Sequence, residues 1–303
     1  MPHYLLRTVS CCLLGGALLT SCEESIDLSV AGTADRLVIQ SRFLAGEDVE
    51  VSVFGTQGGL QGTPTVVTDA LVMLYEGDEL VDQLSADATA PGTYRSQVAI
   101  PEPGRTYALH VSAAGYDPVT AQSSLPLPVQ LTDLTLLDLT VSGQAGTVQY
   151  AYVLDVDYAD PRGQVDYYDL RIYQQVVPYT ITARGDTIRQ PAYLKSADAP
   201  DRPAQASEAL SVLVQDRPED RPVRLHLQST VAEDREQLMG LVVELRTVSS
   251  EYYRYQRSVG SKLSSPLDGL YEPVILYDNV ASGLGIFAGY TSELRTIPFH
   301  PSR

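Results

Sequence analysis

The sequence predicts a mostly β protein: an immunoglobulin-like or transthyretin-like β-sandwich, then a larger β-rich region with one helix near 250–263. Three observations predict it. Apolar residues recur at every second position in many short runs, clusters of Gly, Pro and Asp separate those runs, and only one stretch keeps helical spacing.

The chain opens with Arg7 and a free amino terminus ahead of a short apolar run, Cys11 to Leu19, which is the layout of a secretory leader. That run is too short to span a bilayer, which takes about 20 apolar residues. Next comes Leu19-Thr20-Ser21-Cys22, small side chains before a cysteine. This is the arrangement of a lipobox, in which residues 1–21 are removed and Cys22 becomes an acylated amino terminus. The alternative is an ordinary secretory leader with an incidental cysteine. At ~0.8 kcal/mol per buried CH₂, a multiply acylated Cys22 holds a protein on its membrane irreversibly. Residues 22–35, which include Glu23-Glu24-Ser25-Ile26-Asp27, read as an acidic lipidated tether.

Residues 36–126 read as the sandwich. Val49, Val51 and Val53 alternate with Glu50 and Ser52, and Tyr107, Leu109 and Val111 alternate with Ala108, His110 and Ser112. A period of two puts one set on a core and the other toward water. Turns at Glu76-Gly77-Asp78, Pro91-Gly92 and Pro101-Glu102-Pro103-Gly104 divide the region into roughly seven strands. Leu125-Pro126-Leu127-Pro128 closes the set, because proline cannot donate to a ladder.

Residues 127–303 read as the second β-rich domain, starting with the apolar run Val129 to Leu139. Its clearest strand places Val148, Tyr150, Tyr152, Leu154, Val156 and Tyr158 on one face, with Gln149, Ala151, Asp155 and Asp157 on the other. Val223, Leu225 and Leu227 against Arg224, His226 and Gln228 repeat the pattern, and Asp160-Pro161-Arg162-Gly163 and Arg184-Gly185-Asp186 mark turns. The helix starts at Ser249 or Ser250, either of which can cap it, with Glu251 near its positive end. Tyr252, Tyr255, Val259 and Leu263 follow at helical spacing, so one face packs on a sheet.

Near the end, Gly283, Gly285 and Gly289 surround Leu284, Ile286 and Phe287. Glycines permit close backbone approach to a neighbouring element, which is the structural reading; the alternative is a ligand contact at Gly283, Gly285 and Phe287. The segment lacks the strand, Gly-rich loop, Lys-Ser/Thr and helix order of a phosphate cradle.

Composition removes several functional classes. Cys11 and Cys12 leave with the leader and Cys22 carries lipid, so disulfides, cysteine metal sites and thiol nucleophiles are not expected. The formal charge is -17, without a basic patch, which disfavours nucleic acid as a partner. His110, His226 and His300 are far apart and no His-x-x-His or His-Glu-x-x-His pair exists, so zinc is not expected. His110 and His226 fall on polar strand faces. No Gly-x-Ser-x-Gly elbow presents a serine nucleophile.

The acids Asp155, Asp157, Asp160, Asp166 and Asp169 form the densest cluster, with Asp155, Asp157 and Asp160 as candidate calcium ligands. Their spacing departs from an EF-hand loop, and a solvated strand face is the competing reading. Paired carboxylates for glycoside cleavage find no support, since sequence does not set their separation. There are 19 Tyr, 4 Phe and no Trp, so the ring best suited to cation recognition is absent. Tyr167, Tyr168, Tyr252, Tyr253 and Tyr255 supply amphipathic surface for the second core or for a partner. No catalytic residue, cofactor or resident metal is expected.

The lipobox, Leu37-Val38-Ile39-Gln40, Asp69-Ala70-Leu71-Val72, Gly104-Arg105-Thr106-Tyr107-Ala108-Leu109 with Gly115-Tyr116, Ser250-Glu251-Tyr252-Tyr253-Arg254-Tyr255, and Asn279-Val280-Ala281-Ser282-Gly283-Leu284-Gly285-Ile286-Phe287 together carry a resemblance. By these segments the chain resembles the Bacteroidota outer-membrane lipoproteins of the domain-of-unknown-function 4249 (DUF4249) family. The resemblance covers nearly the whole chain, and the closing motif is its most specific part. It implies a companion of a TonB-dependent outer-membrane transporter, which binds the transporter's substrate or covers its mouth, and no catalytic residues. Glu23 and Glu24, directly after Cys22, are similar to the signal that sends such lipoproteins to the exterior face of the outer membrane. The alternative function is a structural or adhesive envelope protein on a lipid tether.

Overall fold

The computed structural model describes residues 35–56, 64–144, 146–161, 165–200, 210–216, 221–264 and 276–299. Cys22 with its leader and tether, His300 and the side chain of Leu263 lie outside the described residues.

The first strands are β1 (Leu37–Leu44), β2 (Glu50–Gly55), β3 (Thr65–Val66), β4 (Leu71–Glu76), β5 (Glu79–Ala86), β6 (Thr93–Arg95), β7 (Thr106–Ser112) and β8 (Val119–Ser124). After the proline segment come β9 (Leu131–Gln144), β10 (Thr147–Tyr158), β11 (Tyr167–Ile181), β12 (Thr187–Arg189), β13 (Tyr193–Ser196), β14 (Leu210–Gln215), β15 (Val223–Ala232) and β16 (Glu236–Val248). The helix α1 (Ser250–Ser264) then precedes β17 (Val280–Ala281) and β18 (Leu284–Pro298). The mostly β class with one helix among the described residues is therefore the observed class.

Alternation dictates what each strand buries. Along β1, Leu37, Ile39 and Phe43 point into the core while Gln40 and Arg42 are exposed. The same rule buries Val49, Val51 and Val53, then Tyr107, Leu109 and Val111, in one apolar core with Val72, Leu74 and Tyr94. A second core takes Tyr152, Leu154, Val156 and Tyr158 of β10, Leu225 and Leu227 of β15, Leu170 and Ile172 of β11, and Leu241, Val243 and Leu245 of β16. It lies between a three-stranded sheet, ordered β15-β10-β9, and the β11-β16-β18 part of the large sheet.

The large sheet runs β12-β11-β16-β18-β1-β2-β6-β5-β4-β7-β8-β17. Its pivot is β18, whose Leu284–Tyr290 half pairs in parallel with β1 and whose Tyr290–Pro298 half pairs antiparallel with β16. Tyr290 sits at the crossing, opposite both Leu44 and Val248. One strand thus serves both cores: Phe287 packs in the first and Ile297 against the second, while Val280 of β17 joins Phe287, both far from the other members of the first core in sequence. A division at 126/127 by sequence alone assigns Phe287 and Val280 to the other side.

Ser249 caps the helix, its hydroxyl accepting the Tyr252 N–H at 3.2 Å. Tyr252 is fully buried, whereas Tyr255 and Val259 are half-buried. The helix therefore meets the sheet through its first turn.

Candidate functional site

The closing motif is built around β1. Gly285 adopts φ +112°, and a side chain there would run into the Ile39 carbonyl of the paired strand. A Cβ on Gly283 would stand 2.8 Å from the Leu37 carbonyl oxygen and 2.8 Å from a Val119 methyl. Phe287 is fully buried and stacks on Phe43 with ring centroids 4.7 Å apart. The space beside these three residues is thus filled by β1 and β8. Asn279 completes the arrangement: its Nδ2 donates to Gln122 O at 3.0 Å and to Phe287 O at 2.7 Å, and its Oδ1 accepts the Phe287 N–H at 3.0 Å. One side chain joins the backbones of β8 and β18.

Two of the candidate calcium acids, Asp155 and Asp160, are taken up by separate neighbours. Asp155 forms a bidentate pair with Arg224, whose Nε and Nη2 approach at 2.7 and 2.6 Å. The Arg224 hydrogen bonds hold the Asp155 carboxyl below the usual aspartate value, against the opposing effect of burial. Asp157 lies opposite Asp133 of β9, and Asp160 accepts the Tyr168 hydroxyl. Burial and that neighbouring carboxylate push the Tyr168 phenol upward. Among the described residues no three His, Cys, Asp or Glu side chains gather to hold a metal ion.

A denser constellation lies under α1, where alternation from sequence suggests a solvated face. Asp169-Leu170-Arg171 on β11 and Glu244-Leu245-Arg246 on β16 are acid-Leu-Arg triplets, and the antiparallel register places Asp169 opposite Arg246 and Arg171 opposite Glu244. Their leucines enter the second core. The charges point the other way and are covered: Asp169 is fully buried and Glu244 nearly so. Asp169 Oδ2 accepts from Arg171 Nε at 3.0 Å and from the Tyr252 hydroxyl at 2.9 Å, while Oδ1 accepts from Ser211 at 2.5 Å. Glu244 receives Arg246 Nε at 2.6 Å, Arg246 Nη2 at 3.0 Å, Tyr173 at 3.3 Å and Ser292 at 2.9 Å.

Tyr252 links the two halves. Its oxygen donates to Asp169 and accepts from Arg171 Nη2 at 3.1 Å and Arg246 Nη1 at 3.3 Å. Arg246 also lies over the Tyr290 ring, 4.6 Å from its centroid. Burial, then the Asp169 charge, drives the Tyr252 phenol upward. Two acids and two bases cancel, and every carboxylate oxygen meets donors. The arrangement binds α1 to the sheet and holds its carboxylates in ion pairs, the opposite of a poised general acid or base.

Of the tyrosines singled out by sequence, Tyr168 and Tyr252 are core residues, and the Tyr167 and Tyr253 rings meet tilted, with centroids 4.7 Å apart, beside Tyr255 and Tyr277. His110 is exposed against Tyr75, ring centroids 4.6 Å apart, and His226 is exposed on β15. The repeated acid-Leu-Arg triplet was the available signal for the buried network. A third copy, Glu293-Leu294-Arg295 on β18, is out of phase by one residue: Glu293 faces Leu245. Its charges therefore reach inward to β9, where Glu293 Oε2 accepts the Leu131 N–H at 2.9 Å, and Leu294 is left exposed.

The chain belongs to the DUF4249 family, described as a domain of unknown function, whose model matches residues 23–296. No curated protein matches the chain.

Proposed function

We propose, with that membership as premise, that the protein is a non-enzymatic lipoprotein of the Bacteroidota type, held by acylated Cys22 at the outer membrane and facing the exterior. There it serves as an accessory to a TonB-dependent transporter, binding the substrate or covering the mouth of that partner. The observation that carries the reading is Leu19-Thr20-Ser21-Cys22, a lipobox followed directly by Glu23 and Glu24. The family match begins at Glu23, the residue after the lipidated cysteine, which supports it.

The route of the chain suits presentation outward. Between Cys22 and Leu37 the chain can reach at most about 50 Å when extended. It enters β1 at the end where β18 begins, and β18 continues past Tyr290 to Pro298, about 27 Å at strand rise. The second core stands at that far end. The acids and bases locked in pairs beneath α1 favour a scaffold over acid–base catalysis.

Two measurements test this. Radiolabelled palmitate should enter the wild-type protein and not Cys22→Ser; equal labelling overturns the anchor. Mild-detergent purification of the tagged, lipidated protein from native outer membranes should then yield a stoichiometric TonB-dependent transporter. Recovery of the lipoprotein alone, even after crosslinking, overturns the accessory role and leaves a structural or adhesive one.

A further inference from the structure

β9 ends the three-stranded sheet, and among the described residues no strand pairs with its outer side. Exposed edges of this length invite strand addition, and proteins usually blunt them. Several other margins are blunted, and at the opposite edge of the same sheet Asp198 bridges Gln228 of β15 while Lys195 reaches the Thr230 carbonyl. The flank of β11 is covered in turn by the short strands β14, β13 and β12, and the outer half of β18 carries Glu293, Arg295 and Pro298.

From Leu131 to Gln144, β9 contains no Lys, Arg or Pro. Arg295 Nη1 engages the Thr132 carbonyl at 3.3 Å at one end, and Asp138, with φ 51°, bulges the strand at the other. Between them Asp133–Leu137 pairs with β10 in unbroken register. Leu134 and Leu136 lie on the rim of the second core, only half-buried, and Leu137 is half-buried on the opposite face. An acid stands at each end, Asp133 and Asp138, both exposed.

We propose that the Asp133–Asp138 edge of β9 is a docking site for an extended segment of a partner protein, added as a further strand. Its backbone would pair with the outward N–H and C=O groups of β9, its apolar side chains would cover Leu134 and Leu136, and flanking Lys or Arg residues would meet Asp133 and Asp138. Charge selects this occupant over a second copy, because a second copy brings the same two acids and a formal charge of -17 to the same edge.

The test is independent of lipidation and of any transporter. The probe is an acetylated, amidated heptapeptide of alternating valine and threonine with lysine at both ends, added to the full chain in solution. Amide hydrogen exchange at residues 133–137 is expected to slow by at least about fivefold with the β12 and β18 edges unchanged. Leu137→Lys, which places a charge on the outward face, is expected to abolish that protection, and Asp133→Asn with Asp138→Asn to weaken it. Three results overturn the proposal: no slowing of β9 at about millimolar peptide, equal slowing by the same peptide ended in glutamate, or slowing without peptide that tracks a dimer in sedimentation velocity.

Discussion

Asn279 treats Phe287 as a strand partner would: its amide nitrogen donates to the Phe287 carbonyl at 2.7 Å while its amide oxygen accepts the Phe287 N–H at 3.0 Å. The same nitrogen reaches Gln122 on β8, so one side chain supplies ladder bonds where β8 and β18 approach.

Asn279→Ala should therefore destabilise the protein by about 2–4 kcal/mol, since it leaves backbone groups of Phe287 and Gln122 without a partner. Asn279→Asp should be no milder, because a carboxylate oxygen would then face two carbonyls. Urea denaturation of both variants, with the midpoint shifting at constant slope, checks this.

Gly285→Ala should cost more than about 3 kcal/mol, because φ +112° and the Ile39 carbonyl both oppose a Cβ. Gly185→Ala provides the control. It too has positive φ, at +87°, but its turn has open space around it, so the cost should stay near about 1 kcal/mol. Thermal melts of the pair separate steric clash from backbone strain.

The network beneath α1 predicts a graded series. Tyr252→Phe removes one hydroxyl while the Arg171 and Arg246 ion pairs remain, and should cost about 1–2 kcal/mol. Asp169→Ala leaves Arg171 without its buried carboxylate and should cost about 3–5 kcal/mol. Hydrogen exchange should show the first turn of α1 loosening in both, more in the second.

Stability should fall at both extremes of pH. Asp155, with its Arg224 hydrogen bonds, and Glu236, bonded by the Ala232 N–H, are held below their ordinary values of 3.8 and 4.5. Such groups contribute stability above those values that is lost as pH falls below them. Burial pushes Tyr152 up to about 12 from 10.0, so its contribution is intact below pH 10 and is lost as pH rises toward 12. Denaturant midpoints across pH 2–12 should form a plateau with both shoulders, and Tyr152→Phe should reduce the alkaline one, to which the raised Tyr168 and Tyr252 phenols also contribute.

Much of the fold is legible in sequence because alternation is a local property. Val148 to Tyr158 shows its buried face without reference to any partner, and the serine and glutamate at 249–251 announce the helix start. The candidate site is less legible. Asp169, Arg171, Glu244 and Arg246 lie on faces that alternation assigns to water, and the packing of Tyr252 from α1, with Ser211, Tyr173 and Ser292 from neighbouring strands, turns that face inward.

By itself the sequence determined the strand periodicity, the turns, the helix start and the chemistry available at Cys22, all of which depend on residues a few positions apart. The tertiary structure decided that the last strand joins the first in parallel, that Asn279 bridges β8 and β18, and that opposite triplets meet in register. The physical reason is that a period of two specifies which side of a strand is buried but not which strand lies beside it. That choice depends on the shape and polar satisfaction of surfaces brought together from more than two hundred residues apart.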